Sequence, residues 1–281
     1  MHIYTPYHRW SDLDLNIPDS YSQAYGKLTV IHAPILKSIR FDRPVHISKR
    51  DVKFRLVSCP RLERVSLSRF PMDGSFIQFE NLAHLTLKFM SLIHTFRILR
   101  ETPRMVFCQV IGTFSDLSEQ RIGLPVLSSM RSLQLPLLES KFAQDFLDNL
   151  IAPHLEDLSL PKYDTPSIEV VTSFLRRSAC SLRSLSISIV EQYFDGFSNL
   201  LQSMPSLSTV SITNLEYTEE YDPRNILQLV AKVLTSQNTS LQQGFLPNLQ
   251  ALEYTGKLHL HPKNYDSLYP LWLVSTVTLP S

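Results

Sequence analysis

A three-point pattern, apolar-x-x-apolar-x-apolar, recurs along nearly the whole chain. It runs through Trp10, Leu13, Leu15; Leu36, Ile39, Phe41; Leu62, Val65, Leu67; and Leu82, Leu85, Leu87. A weaker copy at Met105, Cys108, Val110 precedes Met130, Leu133, Leu135; Leu155, Leu158, Leu160; Leu182, Leu185, Ile187; Leu207, Val210, Ile212; and Leu249, Leu252, Tyr254. Within each frame the apolar residues alternate with others, as in a strand with one buried face. Between frames the period changes. Phe142, Phe146, Leu147, Leu150 and Ile151 share one face at a spacing of 3.6, as do Ile168, Val171 and Leu175, and Phe194, Phe197 and Leu201. A further stripe, Ile226, Leu229, Val230 and Val233, follows Asp222-Pro223, and Thr165-Pro166 precedes the Ile168 stripe. A polar cap followed by proline is a helix start. The predicted unit is a short strand, a turn, a helix and the next strand.

Successive frames start 26, 26, 20, 23, 25, 25, 27, 25 and 42 residues apart. All but the last match the period of roughly 20–29 residues of leucine-rich repeats. Proline stands two residues before the frame at Pro34, Pro60, Pro103, Pro153, Pro205 and Pro247, where it stops a helix and favours extended backbone. One such unit cannot bury its own apolar side, and stacking units makes a parallel sheet on one surface and helices on the other. Helices are wider than strands, so the stack curves. The expected fold is therefore α/β: a right-handed leucine-rich-repeat solenoid, or horseshoe, with parallel strands on the concave face and helices on the convex face. A single domain over 1–281 holds about ten irregular repeats, with a longer insertion at 216–245 between the last two.

Composition narrows the function. Apolar residues make up 43% of the 281 residues, ample for a core, and the net charge of +1 argues against a nucleic-acid surface. Three cysteines at wide spacing imply no disulfide framework. No apolar run reaches the length that spans a membrane, and the N-terminus does not read as a signal peptide, so the expected compartment is cytoplasmic or nuclear. Nothing marks an enzyme: there is no G-x-S-x-G elbow and no phosphate-binding loop, and only seven glycines. No cofactor is expected. His259 and His261 alternate on a predicted strand, but no third ligand stands at a familiar spacing, so they read as exposed strand residues rather than a metal site. Cys108 occupies a core position of its frame. Cys59 and Cys180 both lie just before a frame, which suggests a repeated packing role.

The wording of the repeats, "RWSDLDLNIP", "CPRLERVSLSRF", "FENLAHLTLKF", "RILRETPRMVFCQV", "APHLEDLSLPKY" and "LPNLQALEY", resembles the repeat regions of fungal F-box proteins, especially those of mushroom-forming fungi. The resemblance covers Trp10 to Tyr254. It implies a ubiquitin-ligase receptor, in which a helical F-box docks on the adaptor to a cullin and the repeats hold the substrate. The F-box belongs ahead of the "HRW" segment, where only seven residues precede His8, so it is expected to be missing from this sequence. The implied partner is an unknown protein or ligase substrate, with the cullin-linking adaptor a partner only if an F-box lies upstream. The alternative is a structural scaffold or truncated F-box-less fragment without a ligase role. Many leucine-rich repeats carry asparagine nine positions into the frame. Here that position holds Pro44, Phe70, Met90, Thr113, Leu138, Tyr163, Val190, Leu215 and Lys257, so irregular turns are expected.

The third, fifth and seventh frame positions are expected to line the exposed strand face. Small hydroxyls predominate in the second half, from Ser184, Ser186 and Ser188 to Thr209, Ser211 and Thr213. The middle differs. Arg64, Ser66, His84, Thr86, Lys88, Phe107, Gln109, Gln134 and Asp157 are the candidate protein-binding residues, with cations beside an exposed aromatic as at binding hot spots. The acidic run Glu216 to Asp222, which opens the insertion, is the second candidate.

Overall fold

The apolar frame is the inner side of the strands. From Leu36 onward every frame residue is buried, and in the mid-chain frames none exceeds 2% exposure. Trp10, Leu13 and Leu15 are half-buried, because their strand is an edge with a neighbour on one side only. The computed structural model describes residues 9–16, 27–30, 33–42, 53–56, 58–70, 77, 79–114, 125–161, 165–188, 194–213, 246–258 and 271–278. In chain order the elements are β1 (Asp12–Asn16), β2 (Lys27–Val30), β3 (Ser38–Asp42), β4 (Lys53–Leu56), β5 (Arg64–Ser68), β6 (His84–Ser91), α1 (Leu92–Arg100), β7 (Phe107–Phe114) and β8 (Ser132–Gln134). They continue with α2 (Ser140–Asp148), β9 (Asp157–Ser159), α3 (Ile168–Ser178), β10 (Ser184–Ser188), α4 (Phe194–Gln202), β11 (Thr209–Thr213), β12 (Ala251–Leu258) and β13 (Leu271–Thr278). The insertion at 216–245, the stripe from Ile226 to Val233, and His259 and His261 lie outside the described residues.

The chain forms two units. The first comprises Met1–Leu133 with Asn149–Pro153, the second Gln134–Asp148 with His154–Ser281. Both are α/β with parallel strands. In the first, β1, β3, β5, β6 and β7 pair in sequence, all parallel. In the second, β9, β10, β11 and β12 do the same, and β13 closes antiparallel on β12.

A repeated set of backbone bonds fixes this register. The N–H of the first frame residue donates to the carbonyl three residues earlier at Leu36, Leu62, Leu82, Met105, Met130, Leu207 and Leu249, with lengths of 3.0–3.2 Å. Pro34, Pro60, Pro103, Pro205 and Pro247 therefore occupy the second position of a turn, where their fixed φ is favourable. That is a more local role than stopping a helix. The turn's first residue is buried, which accounts for Cys59. The carbonyl at frame position two then accepts two N–H groups, those of positions two and three of the next repeat. Glu63 and Arg64 both donate to Lys37, at 2.9 and 3.0 Å, and Val106 and Phe107 both donate to Ala83, at 2.8 and 3.0 Å. The same sharing recurs at Ser11, Glu63, Val106, Glu156, Arg183 and Ser208. Side chains reinforce it: Asn81 donates to the Pro60 carbonyl at 3.1 Å and Asn248 to that of Pro205 at 2.9 Å.

The return segments depart in part from the expected helices. After β1 and β3 the chain returns through β2 and β4, which pair in parallel from Lys27↔Lys53 to Val30↔Leu56. Their sequences, KLTV and KFRL, alternate polar and apolar residues and suit a strand better than a helix. Helix α1 begins without a loop: Ser91 ends β6 and caps α1, accepting from the His94 N–H at 3.4 Å. In the second unit α2 packs on α3 and α3 on α4. Arg177 of α3 donates to the Leu147 carbonyl at 2.8 Å, satisfying an end carbonyl of α2. The cap of α3 is Ser167, not Thr165. The Ser167 hydroxyl accepts from the Val170 N–H at 3.4 Å, while the Thr165 hydroxyl donates to the Pro161 and Ser188 carbonyls, at 3.2 and 2.9 Å.

Two residues past the last apolar position, the frames at Leu62, Leu82 and Met105 share one backbone conformation. At frame position eight Arg69, Phe89 and Gly112 have φ of 48°, 52° and 63°. The Arg69 guanidinium lies 4.1 Å from the Phe89 ring centre, and the Phe89 ring fills the place a Gly112 side chain would take. At position nine Phe70 and Met90 are buried. The Phe70 N–H meets the Met90 sulfur at 3.3 Å, and the Phe70 ring packs edge-on against Phe41 at 4.8 Å.

Candidate protein-binding site

The register of the first unit arranges its outward side chains in rows. One row runs Asp12, Ser38, Arg64, His84, Phe107; the next runs Asp14, Arg40, Ser66, Thr86, Gln109. A third places Ser68, Lys88 and Ile111 side by side. Strands lie about 4.8 Å apart and rows about 6.7 Å apart, so long side chains of one row reach over short ones of another. Ser66 and Thr86 are short, half-buried and central, and Arg40, Arg64, His84, Lys88, Phe107 and Gln109 stand around them. The result is a depression of about 390 Å³.

Seven of the nine candidate residues, Arg64, Ser66, His84, Thr86, Lys88, Phe107 and Gln109, line this one depression. Ser38, Ile39 and Arg40 line it too. The same alternation rule applied to the frame at Leu36 places Ser38 and Arg40 there. Gln134 and Asp157 belong to the second unit: Gln134 is half-buried on β8, and Asp157 is exposed at the start of β9, in register with Ser184. Phe107 is half-buried rather than exposed, its ring 5.9 Å from that of His84. Ser68 and Ser188, expected on the outer face, are buried. Ser68 sits beside the longer Lys88 and directly before the turn at Arg69, and the Ser188 carbonyl is held by Thr165.

Arg64 faces Asp12 at 3.9 Å and Arg40 faces Asp42 at 3.8 Å, both pairs well exposed. Exposed pairs at that distance contribute about 0–1 kcal/mol, so both guanidinium groups can be redirected to a ligand. Lys88 has no carboxylate within 4 Å among the described residues. Partial desolvation of Asp157, and then the charge of Glu156, raise its carboxyl above the usual range, with Arg183 opposing. Burial pushes the Cys108 thiol up to about 12 and raises those of Cys59 and Cys180, so none is a ready thiolate. No group of three His, Cys, Asp or Glu side chains able to hold a metal occurs among the described residues. Among the same residues no helix is long and apolar enough to cross a membrane. Compared with known proteins, the chain matches no family model and no curated sequence.

Proposed function

We propose that this chain is a leucine-rich-repeat protein-interaction module whose strand face holds another protein, as the substrate-recognising part of an F-box-like ubiquitin-ligase receptor does. The depression over Ser66 and Thr86 carries this reading. It sets two arginines and a lysine beside an aromatic edge on one sheet, and arginine and aromatic side chains are the residues enriched at binding hot spots. The repeat assignment draws support from the buried frame, the parallel pairing and the recurring shared carbonyl. The ligase role rests on the resemblance of the repeat wording to fungal F-box proteins.

A photo-reactive residue placed at Thr86 tests the reading, with the same residue at exposed Arg176 on α3 as control. A partner cross-links through position 86 and not through 176. Binding of that purified partner weakens by at least about 2 kcal/mol in the double variant Lys88→Glu with Phe107→Ala, the loss expected of a hot spot, with little change in melting temperature. A folded double variant that binds its partner with unaltered affinity would remove this face from consideration.

A further inference from the structure

The charges around the depression select a class of partner. Its floor, Ser66 and Thr86, consists of two hydroxyls side by side in register, able to donate hydrogen bonds to an anion. Three cations surround that floor: Arg40 in the same row, Arg64 one row before and Lys88 one row after. The carboxylates nearest the two arginines, at 3.8 and 3.9 Å, hold them loosely, and Lys88 has none within reach among the described residues. Phe107 adds an apolar wall on the side away from Arg40. We propose that the depression takes an acidic peptide segment of the partner, with a carboxylate side chain over Ser66 and Thr86 and an adjacent apolar side chain against Phe107. The proposal rests on the protein-binding reading above. A nucleic acid fits the same surface poorly. Asp12, Asp14 and Asp42 stand on its edge and repel a continuous phosphate backbone, and the whole chain carries a net charge of only +1.

Fluorescence anisotropy with the full chain tests this directly. The probes are a labelled hexapeptide of alternating leucine and glutamate, its counterpart with lysine for glutamate, and a labelled single-stranded DNA 12-mer. The glutamate peptide binds saturably. Its affinity falls at least about tenfold in Lys88→Glu and falls again when salt is raised, as for charge-assisted contacts. Phe107→Ala also weakens it, while circular dichroism shows both variants folded. Equal binding of the glutamate and lysine peptides overturns the inference, as does tighter binding of the DNA, no saturation below about 1 mM, a very weak affinity, or an unaltered Lys88→Glu variant. The two readings fail separately. A partner cross-linked at position 86 whose binding ignores both excess glutamate peptide and Lys88→Glu leaves the interaction module standing and sinks the acidic ligand. A peptide that binds as described, with no partner ever cross-linked there, does the reverse.

Discussion

Gly112→Ala probes the column of left-handed residues at frame position eight. Gly112 has φ of 63°, a conformation that disfavours any side chain with a Cβ by about 1–2 kcal/mol. The new Cβ would also lie 2.8 and 2.9 Å from two atoms of the Phe89 ring, closer than carbon atoms approach without displacement. Phe89 is itself held at φ of 52° and lies beneath the Arg69 guanidinium at 4.1 Å, so its ring cannot move without disturbing that contact. Overpacking of this kind costs about 1–3 kcal/mol. Alanine's reduced freedom in the unfolded chain offsets about 0.4–1 kcal/mol. The expected loss is about 2–3 kcal/mol, read as a lower urea midpoint with an unchanged slope. The cycle with Phe89→Ala separates the two causes. Without the ring, the cost of Gly112→Ala falls by about 1–3 kcal/mol, leaving the backbone part. A cost below about 0.5 kcal/mol, or the same cost in both backgrounds, refutes the column as described.

Other outcomes follow from the same structure. Leu158→Ala, at a position 1% exposed, costs about 2–5 kcal/mol in chemical denaturation; a loss under about 0.5 kcal/mol means the frame is misregistered. The raised Asp157 carboxyl disfavours the ionised form in the folded chain, a cost present above its folded pKa and relieved as pH falls through it. Asp157→Asn is therefore slightly stabilising at pH 7, by a few tenths of a kcal/mol as for surface positions, and the gain is absent near about pH 3, below the usual carboxyl range. A variant destabilised at pH 7 contradicts that sign. With its thiol buried and pushed up to about 12, Cys108 escapes iodoacetamide in the folded protein at about pH 8 and reacts in urea, by peptide mass analysis; rapid native labelling rules out the burial described.

The strand core was readable because it depends on period alone: an apolar residue at each frame position has nowhere to go but inward. Cys108 illustrates the rule, since a weak frame is still a fully buried one. Helices α2, α3 and α4 were readable for the same reason. Helix α1 was not, because Ser91 serves as both strand end and cap and leaves no turn residue to mark a boundary. Nor were β2 and β4, whose alternation over four residues stands apart from the recurring frame. The depression was legible in outline from the alternation rule. Its central feature was less so. That Ser66 and Thr86 form a floor depends on which residues stand opposite across strands, and lateral register is set by the shared carbonyls rather than by any local pattern. Burial of Ser68 and Ser188 was invisible for a related reason, because alternation ignores what stands beside a strand, Lys88 for the one and Thr165 for the other.

The shared carbonyl at frame position two has a consequence for how such a chain can change over time. Two donors from one repeat meet one acceptor of the repeat before it, and nothing in that contact measures the length of chain between them. Spans as different as 20 and 27 residues therefore enter the sheet on the same footing. An insertion or deletion on the return side is absorbed where it falls and is not passed on to the next strand. What the architecture demands of the sequence reduces to three apolar residues and a turn per repeat, because the bond itself is made by backbone. Most other positions are then free to drift, and a chain built this way can keep its strand order long after its wording has ceased to resemble that of its kin.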